Sequence, residues 1–185
     1  MSFTHEKVAE DLFLLRPTSF DDVRGSFFRL FDGSAFDLLT RPAVSPVPQV
    51  SVSYNLKRNT LRGLHFQREP FKESKLIHVS RGNIFDLVVN IDPSSENFGR
   101  TYDFKLSAGM QTLLLIGPSY AHGFITLEDN TEIIYFIDGD YVPEYADGVN
   151  FFDRSFLPLL PKGICLKNVI ISDRDLSLKK LDEIK

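Results

Sequence analysis

The sequence has one cysteine, two methionines and no tryptophan. The lone Cys165 cannot form a disulfide within the chain, which is typical of a reducing, cytoplasmic setting. No apolar run approaches the roughly 20 residues of a membrane helix, and the N-terminal segment lacks the apolar core of a signal peptide. The net charge of −4 argues against a broad nucleic-acid or membrane surface. A small anionic ligand needs only a local Arg or Lys cluster and stays compatible with this charge.

Helix signals are also scarce, because only residues 33–39 and 172–181 suggest short helical turns. Short strand signals recur instead, at residues 11–15, 50–54, 75–80, 84–91, 102–106, 112–116, 123–127 and 132–137. Arg81, Gly82 and Asn83 form a turn signal that predicts a hairpin of 75–80 with 84–91. Asp86 and Asn90 alternate with apolar residues there and predict a half-buried strand.

Many short strands in one chain of 185 residues predict a single, mainly β domain. A sandwich, jelly roll or barrel is the expected architecture, and such folds hold ligands in the mouth of the barrel. The 17 phenylalanines must supply most of the aromatic area of its core, since tryptophan is absent.

Two of the four histidines lie in distinctive settings, His65 in LRGLHFQ and His122 in YAHGF. A metal site is one reading, but a tight site usually takes three or more protein ligands. Gln67 stands where a second histidine would complete a pair with His65, so only His65, His122 and Glu69 remain. We therefore expect no metal. The sequence also has no Gly-rich phosphate loop, and we expect no other cofactor.

Proton transfer beside a ketone is the other reading of these residues. It needs a histidine base, a carboxylate that fixes the tautomer of the base, an acid on the opposite face and a cation for the enolate. The chain contains all four types of residue. Taken alone, however, His65 is equally consistent with a structural histidine.

Five pieces of sequence, taken in order, are more specific. They are FDDVRGSFF (20–28); QVSVS (49–53) leading into TLRGLHFQ (60–67); KLI (75–77) with Gly82 and Asp86; AHGF (121–124) with Glu132 and Tyr135; and SDRD (172–175). Together they resemble the dTDP-4-dehydrorhamnose 3,5-epimerase family of cupin-like sugar-nucleotide epimerases. The resemblance implies a cupin-like jelly-roll barrel or sandwich with a few short helices. It also implies inversion at C3, C5 or both of a nucleotide-linked 4-keto-6-deoxy sugar, without a cofactor.

The resemblance assigns catalytic roles to four residues. His65 falls on the base, and Asp175 falls on the carboxylate that pairs with it, although Asp173 stands close by in the same motif. Tyr135 falls on the acid that returns a proton to the sugar. Lys75 falls on the cation beside the ketone.

The same resemblance implies the substrate contacts. Arg62 and Arg24 fall on positions that grip the diphosphate, as paired guanidiniums suit such an anion. Gln49 and Phe20 fall on nucleotide-contacting positions, and His122 falls beside the reacting groups. Family members are typically homodimers that exchange N-terminal strands, so Phe20 or Arg24 is expected to serve the neighbouring subunit's site.

Some positions depart from the family pattern. Arg29 stands where many members have Glu, Ser51 replaces a frequent Asn, and Asp140 stands where an aromatic residue is common. These departures leave open whether the nucleotide is dTDP, CDP or another, and whether one or two centres are inverted. A mono-epimerase, a keto-sugar isomerase and a non-catalytic sugar-binding module remain as alternatives.

Overall fold

The computed structural model describes residues 3–32, 49–162, 164 and 166–184. The strands of these residues are β1 (Phe3–Ala9), β2 (Leu12–Pro17), β3 (Ser19–Asp22), β4 (Gly25–Phe28), β5 (Gln49–Asn55), β6 (Leu61–Gln67), β7 (Lys75–Arg81), β8 (Asn83–Asn90), β9 (Thr101–Ser107), β10 (Leu113–Ile116), β11 (Tyr120–Thr126), β12 (Thr131–Ile137) and β13 (Ala146–Gly148). Helical structure in the same residues is limited to one turn, α1 (Asp173–Leu176), and to 3-10 helices at Ala108–Met110, Pro143–Tyr145, Leu157–Leu159, Leu166–Asn168 and Leu181–Glu183.

Only one of the two predicted helical turns lies within the described residues. Residues 33–39 lie outside the described residues. The turn predicted over 172–181 is shorter than expected, because α1 ends at Leu176 and only Leu181–Glu183 continues as a separate 3-10 helix. No helix in the described part of the chain is long and apolar enough to cross a membrane.

Two antiparallel sheets make up the body of the fold. A six-stranded sheet has the order β1-β2-β10-β7-β12-β5, and a five-stranded sheet has the order β13-β6-β11-β8-β9. Strands β3 and β4 form a separate hairpin. The predicted mainly β jelly-roll sandwich is confirmed.

The predicted hairpin of 75–80 with 84–91 is wrong. Strand β7 pairs with β10 and β12, whereas β8 pairs with β11 and β9 in the other sheet. The turn at Arg81 and Gly82 therefore carries the chain from one sheet to the other. Gly82 has a φ of +80° and lies against Thr131, so the crossing requires a residue without a side chain. A turn signal marks a change of direction but does not reveal which strand becomes the partner.

The half-buried pattern expected for 84–91 is also wrong, because residues 84–91 are all buried. Phe85 and Leu87 pack outward against Phe151 and Phe156 of the C-terminal segment, which covers the outer face of the five-stranded sheet. The intervening residues face the barrel interior, where Asp86 is 0% exposed. A strand covered on both faces needs apolar residues at nearly every position.

The barrel interior is apolar at one end and polar at the other. Along β7, Ile77 and Val79 belong to the inner apolar cluster, whereas Lys75 lines a cavity. Along β12, which runs antiparallel to β7, Ile133 belongs to that cluster and Tyr135 lines the cavity. This gradient leaves one end of the barrel free for a ligand. Phenylalanine supplies the largest fully buried side chains, as the absence of tryptophan predicted.

Candidate active site

An open cavity of about 310 Å³ lies between the two sheets. The five-stranded sheet contributes Arg62, His65 and His122, and the six-stranded sheet contributes Lys75 and Tyr135. The other lining residues are Ser51, Val52, Ser53, Phe66, Gln67, Glu73, Gly123, Phe124, Ile137, Tyr141, Ala146, Asp147 and Arg174. A ligand in this cavity is therefore flanked by polar groups from both walls.

His65 is paired with a carboxylate that comes from the far end of the chain. Its Nε2 lies 2.8 Å from Oδ1 of Asp175, and the backbone N–H of Gly63 donates to Oδ2 at 3.0 Å. Burial disfavours the ionised carboxyl, but these hydrogen bonds outweigh it and hold the pKa of Asp175 below its ordinary value. Asp175 is therefore an anion at neutral pH, and it leaves Nδ1 of His65 as the nitrogen available to a ligand.

Local contacts bring His65 and Asp175, which are 110 residues apart in the sequence, within hydrogen-bond distance. Leu61 at the start of β6 donates its N–H to the carbonyl of Ile170 at 2.8 Å, which fixes the C-terminal segment beside the strand. Ser172 then caps α1, since its hydroxyl accepts the N–H of Asp175 at 3.1 Å. The cap orients the single helical turn so that Asp175 faces β6.

Two glycines explain how β6 and β11 approach each other beside the histidines. His65 and His122 are directly opposite in the strand register, and a bulge follows His122. A Cβ on Gly63 would lie 2.6 Å from the carbonyl oxygen of His122, and one on Gly123 would lie 2.6 Å from that of Arg62. Gly63 also has a φ of +103°. The glycines of the RGLH and AHGF motifs are therefore required by backbone packing.

A second histidine–carboxylate pair lies deeper in the barrel. His122 Nε2 is 2.7 Å from Oδ2 of Asp86, and the two side chains are only 4% and 0% exposed. Burial raises the pKa of Asp86, and the attraction of His122 offsets this only in part. The His122 ring meets Tyr135 edge to face, with centroids 6.1 Å apart.

Tyr135 is held as a neutral phenol. Burial raises the pKa of Tyr135 far above its ordinary value, and the nearby charge of Asp86 acts in the same direction. Arg62 opposes this shift without cancelling it. The phenol therefore keeps its proton at neutral pH, which is the form required of a proton donor.

Lys75 lies in the cavity wall within a network of polar contacts. Its Nζ is 3.1 Å from Oε1 of Glu73 and donates to the carbonyl oxygen of His65 at 3.3 Å. The other Glu73 oxygen accepts the Gln67 amide at 2.7 Å. Gln67 in turn accepts the N–H of Val142 at 2.7 Å, which ties the loop after β12 to this wall.

Two arginines place positive charge around the cavity. Arg62 Nε donates to the buried Asn55 at 2.8 Å. Because Nε makes this contact, the fork of the two Nη groups is oriented and can still clamp an anion. Arg174 also lines the cavity and approaches the hydroxyl of Tyr141 at 3.5 Å.

The other predicted substrate contacts do not reach this cavity within one chain. Phe20 is 69% exposed on the β3–β4 hairpin. Arg24 lies on the turn of that hairpin, where it pairs with Asp22 at 2.5 Å. Gln49 is exposed at the start of β5 and contacts Asp140 at 3.2 Å.

Sequence reasoning did not assign roles to three residues of this region. Asp86 was the one acid in a mostly apolar strand, a signal that the assumed half-buried pattern concealed. Arg174 is next to Asp175 and was overlooked in the same motif. Glu73 lies in the loop before β7, and nothing in the sequence marked it as the neighbour of Lys75.

The candidate metal ligands named from the sequence are engaged in other contacts or lie at the surface. His65 and His122 each pair with a separate carboxylate, and the side chain of Gln67 is engaged with Glu73 and the loop after β12. Glu69 pairs with Lys72 and is 73% exposed. Within the described ranges, no three His, Cys, Asp or Glu side chains are grouped so that they could hold a metal ion.

Fold and cavity together define a cupin-like jelly-roll protein whose barrel presents paired histidines, a phenol and cations to a small ligand. A family model described as dTDP-4-dehydrorhamnose 3,5-epimerase matches residues 6–183, and the chain belongs to that family. It is an isomerase of the sugar-nucleotide epimerase class. The dTDP-4-dehydrorhamnose 3,5-epimerase of Escherichia coli K12 is 37% identical over 175 residues, which cover 95% of this chain and 92% of the relative.

Solved structures are similar over the same length. A dTDP-4-dehydrorhamnose 3,5-epimerase from Bacillus anthracis, with TDP and PPi bound, is 31% identical with a TM-score of 0.86, covering 96% of this chain and 99% of that one. A 3'-monoepimerase from Streptomyces bikiniensis, in complex with dTDP-quinovose, is 27% identical with a TM-score of 0.86, covering 97% and 88%.

Proposed function

We propose that this protein inverts C3, C5 or both in a nucleotide-linked 4-keto-6-deoxy sugar of the dTDP-4-keto-6-deoxyglucose type. The observation that carries the proposal is the His65–Asp175 pair on one wall of a cavity whose opposite wall carries Tyr135. A base and an acid on opposite sides of a sugar ring are what inversion requires. The TDP-containing and dTDP-sugar-containing structures of relatives support the substrate class.

His65 is the proposed base. The protons on C3 and C5 are acidic because both carbons flank the C4 ketone. Nδ1 of His65 takes one of them, the C–H electrons pass into the enolate, and the ring becomes an imidazolium. The Asp175 anion at Nε2 stabilises that cation and fixes the tautomer that accepts the proton.

Tyr135 is the proposed acid, and Lys75 stabilises the enolate. The Lys75 ammonium places positive charge where the ketone oxygen becomes negative. Tyr135 then gives its phenolic proton to the same carbon from the other face, which inverts the centre. Exchange of protons with water returns His65 and Tyr135 to their starting forms, so the cycle needs no redox step.

Substrate binding is proposed to involve a homodimer. Arg62 grips the diphosphate from within the chain, and Arg24 grips it from the neighbouring subunit. Phe20 contacts the nucleotide in the neighbouring subunit's site, and Gln49 is a further nucleotide contact. The exposed aromatic side chains of the β3–β4 hairpin support this, since Phe20 and Phe27 are 69% and 76% exposed and suit a surface that a partner covers.

Mixed dimers test this sharing of sites. His65→Ala and Arg24→Ala each remove one component of every site in their homodimers. In a mixed dimer, one site collects both defects and the other collects neither. About half of the wild-type activity in a purified mixed dimer, or about a quarter in an unsorted 1:1 mixture, supports a shared site. Activity no higher than the average of the two homodimers contradicts it.

Solvent labelling tests the reaction. The protein is incubated with dTDP-4-keto-6-deoxyglucose in D₂O, and the sugar is analysed by NMR and mass spectrometry. We expect deuterium at the inverted carbons and none with His65→Ala, while nucleotide binding by that variant is retained. Absence of deuterium with dTDP- and CDP-linked substrates alike would favour a sugar-binding module.

A mono-epimerase is the second candidate, because the Streptomyces bikiniensis 3'-monoepimerase has an equally similar backbone. The same labelling separates the two activities. Deuterium at both C3 and C5 identifies the double epimerase, and deuterium at one carbon identifies the mono-epimerase.

A further inference from the structure

Glu73 is a buried carboxylate in the cavity wall that the mechanism above does not use. Its side chain is 9% exposed and that of Lys75 is 11% exposed, so the pair is largely removed from water. A charge buried in this way needs a partner of opposite sign and filled hydrogen bonds. Each group supplies the other's partner at 3.1 Å.

We infer that Glu73 is a positioning residue for Lys75, which it holds charged and aimed at the substrate ketone. The inference rests on the proposed function, because it assigns Lys75 to the enolate oxygen. An ammonium has three N–H donors. Among the described residues, Glu73 and the His65 carbonyl occupy two of them, which leaves one for a ligand oxygen.

The carboxylate is itself fixed at both oxygens. Oε1 faces Lys75, and Oε2 accepts the amide of Gln67 at 2.7 Å. Gln67 also donates to the carbonyl of Asp140 at 2.9 Å and accepts the N–H of Val142 at 2.7 Å, so it cannot turn away without breaking loop contacts. The flexible four-carbon stem of Lys75 is thereby held in one orientation.

This arrangement links the cation to the base. Gln67 and His65 lie two residues apart on β6, and the same strand supplies the carbonyl that the ammonium contacts. Base and cation are thus held on one element, which preserves their relative position when a ligand enters.

The test uses Glu73→Gln, which keeps the shape and one acceptor but removes the charge. A buried ammonium without its counter-ion loses its proton more readily. The alkaline limb of the kcat profile should therefore move to lower pH by about one to three units, while KM changes little. The other titratable groups lining the cavity are Arg62, His65, His122, Tyr135, Tyr141, Asp147 and Arg174, and all remain in the variant.

Glu69→Gln is the matched control, because Glu69 lies on the same loop and pairs with Lys72 at the surface. It removes the same charge and should leave the profile unchanged. An unchanged profile in Glu73→Gln, or an equal shift in Glu69→Gln, would overturn the inference.

A double-mutant cycle separates positioning from simple folding. Lys75→Met should lower kcat by about 10² to 10³-fold. In that background, Glu73→Gln should change kcat by less than about twofold at any pH, since it has no cation left to act through. A persistent effect of Glu73→Gln would show a structural role and overturn the inference. Wild-type protein that incorporates no deuterium from D₂O would instead refute the proposed function before any variant is compared.

Discussion

Asp175→Asn is the substitution whose outcome the structure defines most closely. The carboxylate has two partners, the Gly63 N–H at 3.0 Å and Nε2 of His65 at 2.8 Å, and both act as donors. An asparagine has only one acceptor oxygen, and its NH₂ group must face the other partner. The backbone N–H cannot change its role, so the amide oxygen faces Gly63 and the NH₂ group faces His65.

The consequence is a reversed tautomer of His65. With a donor opposite Nε2, that nitrogen must accept, and the ring proton moves to Nδ1, which is the nitrogen proposed to take a proton from the sugar. Loss of the tautomer and of the anion should lower kcat by about 10³ to 10⁴-fold. At about 1.36 kcal/mol for each factor of ten, this is roughly 4 to 5.5 kcal/mol of transition-state stabilisation. Folding stability should fall by only about 1 kcal/mol, because the amide still bonds to Gly63.

The assay is the initial rate of deuterium incorporation from D₂O, followed by NMR over a range of substrate concentrations. The expected result is a lower kcat with KM nearly unchanged, since Asp175 lies behind the histidine. Asp173→Asn is the control, because Asp173 is exposed in the same helical turn and should behave as wild type. A loss of less than about tenfold in Asp175→Asn would refute the tautomer argument.

Three further outcomes can be measured independently. Tyr135→Phe should still exchange the sugar proton with solvent but should form little inverted product, and equal slowing of both steps in the NMR assay would assign Tyr135 a different role. Gly63→Ala should lower the free energy of unfolding, measured in urea, by at least about 3 kcal/mol. The reason is that the new Cβ would lie 2.6 Å from the His122 carbonyl oxygen, at a residue whose φ is +103°. A change below about 1 kcal/mol would contradict the close packing of β6 and β11. Burial lowers the pKa of His78 below its ordinary 6.5, so the unfolded chain takes up this proton first and stability should fall as the pH drops below 6.5. His78→Gln should reduce that acid loss in thermal melts from pH 8 to 5, and an unchanged loss would show that another group causes it.

The sequence by itself determined the strand content and the family. Alternating and continuous apolar segments predict strands, because the side chains of a strand alternate between two faces. This pattern does not depend on which strands pair. The motifs around His65, His122 and Asp175 could also be recognised from the sequence. Each is a short stretch in which the glycines and polar residues are required by the local structure. Those motifs sufficed to select His65, His122 and Asp175, but they did not reveal Glu73.

Only the tertiary structure decided which of these groups meet. Asp175 rather than Asp173 contacts His65, because the bond of Leu61 to Ile170 and the Ser172 cap fix the direction of one helical turn. The chain crosses between sheets at Gly82 instead of closing a hairpin, because the two sheets must face each other to bury their inner surfaces.

The partners of the other charged groups depended on the same packing. Asp86 meets His122 because β8 pairs with β11 in the five-stranded sheet. Glu73 reaches Lys75 because Gln67 holds the intervening loop against β6. Such contacts depend on distances between residues on different strands and loops. The sequence pattern constrains each segment but not its neighbours in space. These contacts therefore follow from the packing of the sheets.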